Sequence, residues 1–150
     1  MSVFDIKLIK TKVKVADKEA LLIAMTEDLY EQKVLESKAD FMATLKAREE
    51  VMSTGIGFGI GLPHGRHKTV NELKAIVYIL ENPIEFDALD GLLVNIIFMV
   101  AIPVKSNNEY MNLLNLISKI LHEDKNRVFF SNTDDKEKIL RFLEGLEYER

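Results

Sequence analysis

Ser53-Thr54-Gly55-Ile56-Gly57-Phe58-Gly59-Ile60-Gly61-Leu62-Pro63-His64-Gly65 is the stretch on which the reading of this chain turns. Between Val51 and Asn71 there is no acidic residue, and glycines stand at 55, 57, 59, 61 and 65. Ile56, Phe58, Ile60 and Leu62 alternate with the first four of them. A period of two with one small position predicts an extended segment that other backbone approaches closely. The stretch lacks the Gly-Lys-Ser/Thr ending of a nucleotide-phosphate loop, so that reading is weak.

Outward from this stretch the pattern alternates between helix and strand. Val13 to Val15 reads as a short strand. Asp17 opens a helix to about Glu31, with Ala20, Leu21, Ala24, Met25 and Leu29 on one face. Ser37 with Asp40 three residues on resembles a capping box, and its helix carries Phe41, Leu45 and Ala47 to about Glu50. Lys74 to Leu80 and Leu93 to Ala101 read as strands, with a loop and an Asp90-Gly91 turn signal between them. Asn107 or Asn108 caps a helix bearing Met111, Leu114, Ile117, Ser118 and Leu121. Asp124 to Phe130 is a short helix, and Asp134 starts a last one with Ile139, Leu140, Phe142 and Leu143. Pro63, Pro83 and Pro103 each stand where an apolar run begins or ends. Interleaved helices and strands predict an α/β sandwich: a small mixed sheet flanked by helices in three layers. Strand order is not legible at this level.

Composition narrows the function. One domain spanning 1–150 fits the length, and 47% hydrophobic with 29% charged residues suits a folded chain with one core. A net charge of -4 disfavours nucleic-acid binding by a basic surface. The absence of cysteine excludes a disulfide, a zinc–thiolate site and a cysteine nucleophile. Leu92 to Ile102, interrupted by Asn95, is too short for a membrane span of about 20 apolar residues. Met1 to Asp5 lacks the layout of a signal peptide, so the cytoplasm is the expected location. Leu146 and Tyr148 are apolar positions for an interface or a frayed end; oligomeric state is not readable.

The chain has three histidines, and His64 stands between Pro63 and Gly65, with Arg66, His67 and Lys68 following. A phosphoryl-accepting imidazole must be neutral, exposed at one nitrogen and near positive charge. An imidazole titrating near ~6.5 meets the first condition at pH 7. Pro63 restricts the backbone before it, and Gly65 permits a positive φ or close approach by a partner. The alternatives are an ordinary loop histidine, or a metal pair with His67, for which no third ligand lies near in sequence. His122 follows Leu121 at a helix end and is given no role.

Arg48-Glu49-Glu50, then Ser53 to Gly57, then Gly59-Ile60-Gly61-Leu62-Pro63-His64-Gly65 strongly resemble the enzyme IIA domain of the sugar phosphotransferase system. The branch is the fructose/mannitol/nitrogen-regulatory type. Pro83-Ile84-Glu85-Phe86-Asp87-Ala88-Leu89-Asp90-Gly91-Leu92-Leu93-Val94 resembles that family's next signature. The resemblance implies that His64 accepts phosphate on Nε2 from the phosphohistidine of the small carrier HPr. It then passes the group to a cysteine of a IIB domain for sugar uptake. No metal or cofactor is implied, and the membrane is met only indirectly through IIB and IIC. The sugar itself is not legible. Arg48 matches the arginine that reaches the active site; alone, it reads as an exposed arginine paired with neighbouring glutamates. Thr54, Gly65 and Arg66 are further candidate contacts to phosphate or partner, with a helix-end role open for Thr54.

The chain departs from the family in two places. Tyr110 stands where many members carry a second active-site histidine. A phenol donates one hydrogen bond to phosphate but stays neutral near pH 7, and a packing role is equally open. Phe58 replaces the usual asparagine and Gly61 the usual alanine. An exposed Phe58 would belong to a docking surface and a buried one to the core. Two other outputs stay open: a regulatory module that binds transporters or regulators according to its phosphorylation state, and a degenerate domain that binds without transferring.

Overall fold

The two most apolar runs of the chain pair with each other. In the computed structural model, which describes residues 2–147, β5 (Lys74–Ile84) and β6 (Val94–Ile102) run antiparallel at the centre of a six-stranded mixed sheet. The strand order is β1-β5-β6-β3-β2, with β1 at Ile9–Val13, β2 at Gly55–Gly57 and β3 at Ile60–Gly61. β4 (His64–Arg66) lies beyond β3 on the same side of β6, parallel to it. Helices α1 (Lys18–Glu31) and α2 (Lys38–Val51) cover one face. Helices α3 (Glu109–Leu121), α4 (Asp124–Asn132) and α5 (Lys136–Glu147) cover the other. Ile76, Tyr78, Ile97 and Met99 point to the first face, while Val77, Ile79, Phe98 and Val100 point to the second. Both faces are covered, so residues 75–80 of β5 and 96–102 of β6 form apolar runs with no polar alternation. The three layers expected from the sequence are present.

The helix starts obey local chemistry. The Asp17 carboxylate accepts from Ala20 N at 2.8 Å, and the Ser37 hydroxyl accepts from Asp40 N at 3.1 Å. Only half of the expected capping box forms, because Ser37 N donates to Thr69 Oγ1 at 2.7 Å. α2 buries Phe41 and Leu45 but leaves Ala47 exposed.

Several boundaries differ from expectation. The first strand is Ile9–Val13, not Val13–Val15, because Leu8 and Ile9 are the buried residues and Lys12 at φ 52° breaks the register before Val15. β5 runs past Leu80 and re-pairs at Ile84 with Val94 after an irregularity that accommodates Pro83. Asp135, not Asp134, takes the first amides of α5 from Glu137 and Lys138; Asp134 pairs with Lys12 at 3.1 Å. Asn108 precedes α3 without a side-chain cap bond. Leu146 is half-buried against the core on the face that α3, α4 and α5 cover; Tyr148 lies outside the described residues. Among the described residues no helix is long and apolar enough to cross a membrane.

Candidate active site

β4 starts at His64 because Pro63 has no amide to donate, while its carbonyl accepts from Val100 N at 3.0 Å. The His64 ring is half-buried, with Nδ1 2.9 Å from the Leu62 carbonyl oxygen. A carbonyl can only accept, so Nδ1 carries the proton and Nε2 keeps its lone pair. Burial holds the pKa of this ring below the ordinary 6.5; the Leu62 carbonyl opposes the shift, the Arg48 charge adds to it and the Glu49 charge opposes it. The ring is therefore a neutral nucleophile at pH 7.

Stability is linked to the same shift. Below the ordinary pKa the unfolded chain binds more protons at this histidine than the folded one does. The stabilisation is full above pH 6.5 and is lost as pH falls through the folded pKa. Urea titrations from pH 8 to pH 5 should show wild-type stability falling below about 6.5, with part of the slope missing in His64→Gln. Identical slopes in the two proteins would mean that the folded ring is not held neutral.

Arg48 sits in the last turn of α2, half-buried, and its Nη1 donates to the Met52 carbonyl at 2.8 Å. It thus binds the helix end, where cations are favoured, rather than a neighbouring glutamate. Glu49 turns inward. Its side chain is 8% exposed and takes three donors: Lys18 Nζ at 2.8 Å, Thr54 N at 3.1 Å and Thr54 Oγ1 at 2.6 Å. The Thr54 hydroxyl is thereby directed to Glu49 instead of toward the open side of the site. Lys18 also lies over the Phe86 ring, 4.3 Å from its centroid.

Gly65 is buried and has no positive φ. A methyl group there would stand 3.1 Å from Phe41 Cε1 and 3.2 Å from Thr44 Cγ2. Its missing side chain serves the approach of α2 to β4, which corrects the expectation of a positive φ. Arg66 donates to the Val104 carbonyl at 2.8 Å and the Ser106 carbonyl at 3.0 Å, and lies 5.2 Å from the centre of the Tyr110 ring. Arg66 therefore ties the turn after β6 and Tyr110 to the strand that starts at His64. Two residues apart, His64 and Arg66 project to the same side of β4.

His67 is engaged locally, its Nδ1 accepting from Thr69 N at 2.9 Å within its own turn. No group of three or more potential metal-ligating side chains occurs among the described residues. Phe58 is 51% exposed at the tip of the β2–β3 hairpin, at φ 59°. Its ring meets His122 edge-on at 5.3 Å and Arg127 at 4.5 Å. Ile60 pairs with Ile96 and His64 with Val100, so Ile60 and His64 are separated by about 13 Å along β6 at ~3.3 Å per residue, and Phe58 lies at the hairpin tip before Ile60.

The residue that sequence reasoning missed is Glu49. One signal was available: a carboxylate in the last turn of a helix is disfavoured by the helix dipole, so a cationic or hydrogen-bonding partner that offsets it is favoured.

A family model described as phosphoenolpyruvate-dependent sugar phosphotransferase system, EIIA 2, matches residues 2–145. The nitrogen regulatory protein of Escherichia coli (strain K12) is 34% identical over 122 residues, covering 80% of this chain and 74% of that protein. The crystal structure of nitrogen regulatory protein IIA-Ntr from Neisseria meningitidis superposes with a TM-score of 0.86 at 28% identity, over 91% of this chain and 93% of that one. The complex of enzyme IIAMTL and phosphorylated enzyme IIBMTL from Escherichia coli contains a chain matching with a TM-score of 0.81 at 18% identity, over 95% of this chain and 99% of that one.

Proposed function

Because the chain belongs to the EIIA type 2 family of the phosphoenolpyruvate-dependent sugar phosphotransferase system, we propose that it is a phosphocarrier that accepts a phosphoryl group on His64. The observation that carries this reading is the Nδ1 to Leu62 carbonyl bond, which leaves Nε2 as the nucleophile. Nε2 attacks the phosphorus of phosphohistidine on HPr. The new N–P bond forms as the donor N–P bond breaks, and the donor imidazole leaves with that electron pair. Positive charge developing on the His64 ring strengthens the Nδ1–H bond to Leu62, so the same contact favours the transition state. Arg48 leaves the Met52 carbonyl for the phosphoryl oxygens, where a guanidinium forms paired charge-assisted bonds. Tyr110, held by Arg66, offers one phenol hydrogen bond in place of the second histidine. The transfer balances without a metal or cofactor.

Onward transfer goes to a cysteine of a IIB domain. The thiolate attacks phosphorus, the Nε2–P bond breaks and the electron pair returns to the ring. The mannitol complex, in which a similarly folded IIA chain is bound to phosphorylated IIB, supports this route. In that reading the chain serves sugar uptake of the fructose/mannitol type from the cytoplasm. A regulatory output is the second reading, favoured by likeness to the two nitrogen regulatory proteins. There the phosphorylation state of His64 would control binding to another protein.

Purified chain mixed with phosphoenolpyruvate, enzyme I and HPr should gain the mass of one phosphate at neutral to alkaline pH. Folded protein with active HPr and no gain would sink the proposal. Adding IIB then separates the outputs: discharge of the phosphate onto a IIB cysteine marks the transport route, and retention marks the regulatory one.

A further inference from the structure

Four hydrogen bonds connect a buried carboxylate to the imidazole. The Thr54 hydroxyl and amide both donate to Glu49, at 2.6 Å and 3.1 Å. The Thr54 carbonyl accepts from Leu62 N at 2.9 Å. The Leu62 carbonyl, on the other side of the same residue, takes His64 Nδ1 at 2.9 Å. We infer that Glu49 is a positioning residue for phosphoryl transfer, orienting the His64 imidazole and selecting its Nδ1–H tautomer through Thr54 and Leu62. This inference rests on the reading of His64 as the phosphoryl acceptor.

The relay is rigid where it must be. Thr54 is 3% exposed and the Glu49 side chain 8%, so water does not compete for these bonds. A carboxylate accepts from both donors of one residue at once, which sets both the position and the twist of Thr54. Lys18 at 2.8 Å balances the charge that burial would otherwise make costly. The amide and carbonyl of Leu62 belong to different peptide units joined through its Cα, so the relay fixes where the Leu62 carbonyl points rather than how strongly it accepts. Glu49 also acts directly on the ring, opposing the loss of basicity caused by burial. Its charge complements the imidazolium character that develops when Nε2 bonds to phosphorus. Neither Glu49 nor Thr54 needs to touch phosphate to do this.

Tautomer and rate together separate positioning from mere support. Protein labelled with nitrogen-15 in histidine reports the His64 tautomer directly, without phosphate present. The wild type should be mainly Nδ1–H. Glu49→Gln presents donors as well as an acceptor to Thr54 and Lys18, and Thr54→Val deletes the hydroxyl. Both should move His64 toward the Nε2–H tautomer and slow acceptance from phospho-HPr roughly 10- to 100-fold, the range seen when the hydrogen-bond partner orienting a metal-bound histidine is removed. Thr54→Ser keeps the hydroxyl and should restore both readouts. If Glu49→Gln fails to fold, the Thr54→Val and Thr54→Ser pair decides the matter. A folded Thr54→Val protein with a wild-type tautomer overturns the relay, even if its transfer is slow. A wild type that takes no phosphate, while its tautomer responds to these substitutions, removes the phosphocarrier reading and supports the positioning.

Discussion

His64→Ala and His64→Gln should take up no phosphate from phospho-HPr, with unfolding midpoints above pH 7 close to that of the wild type. The loss is complete because no other histidine fits the role. His67 uses Nδ1 as an acceptor within its turn, and His122 packs beside Phe58 at the far end of β6. Glutamine can reproduce a donor to the Leu62 carbonyl but has no nucleophilic ring nitrogen. The fold tolerates the change because the His64 ring is only half-buried and one main-chain carbonyl is its hydrogen-bond partner. Intact mass spectrometry gives the occupancy, and urea unfolding gives the control. A variant that carries phosphate at wild-type occupancy would move the assignment to another residue.

Phe86→Ala should cost about 3–5 kcal/mol of stability, as expected for a fully buried phenylalanine. Phe86 is 0% exposed and fills the space that Gly55 and Gly61 leave open. A methyl group on Gly61 would stand 3.2 Å from Phe86 Cζ, and one on Gly55 3.2 Å from Cδ1. Lys18 rests on the same ring at 4.3 Å, so truncation also loosens the cation that balances Glu49. The glycine alternation and this phenylalanine are thus two halves of one packing arrangement. The opposite error has a similar direction: Gly55→Ala would set its Cβ 2.8 Å from Ala88 Cα, which cannot swing away, and should cost about 1–3 kcal/mol by overpacking. Thermal unfolding of Phe86→Ala should come roughly 10 °C earlier for a chain of this size. A loss below about 1 kcal/mol would mean that β2 and β3 collapse onto the vacated space and that no cavity remains.

Arg66 illustrates a limit of sequence reading. Beside a histidine, an arginine reads as local positive charge and a candidate contact to phosphate or partner, with no sign of its structural partners. In the fold its guanidinium is held by two carbonyls of the 103–108 turn and by the face of Tyr110. The carbonyl partners lie 38 and 40 residues away, and no local period or spacing points to them. Gly65 is placed by remote neighbours in the same way, whereas the Thr54 partner, Glu49, lies five residues away. Each makes a contact between elements: Thr54 with the end of α2, Gly65 with Phe41 and Thr44.

By itself the sequence determined what depends on short range. The caps Asp17 and Ser37 and the apolar runs of β5 and β6 specified elements, since their hydrogen-bonding and burial periods are local properties. Pro63-His64-Gly65, with the segments around it, was enough to single out the candidate nucleophile and to suggest the family. The tertiary structure alone decided that β4 lies parallel to β6, that Leu62 takes the Nδ1 proton, and that Glu49 turns inward to Thr54 and Lys18. Hydrogen bonds have direction and a reach near ~3 Å, so their pairing follows from how the layers meet and not from the order of residues along the chain.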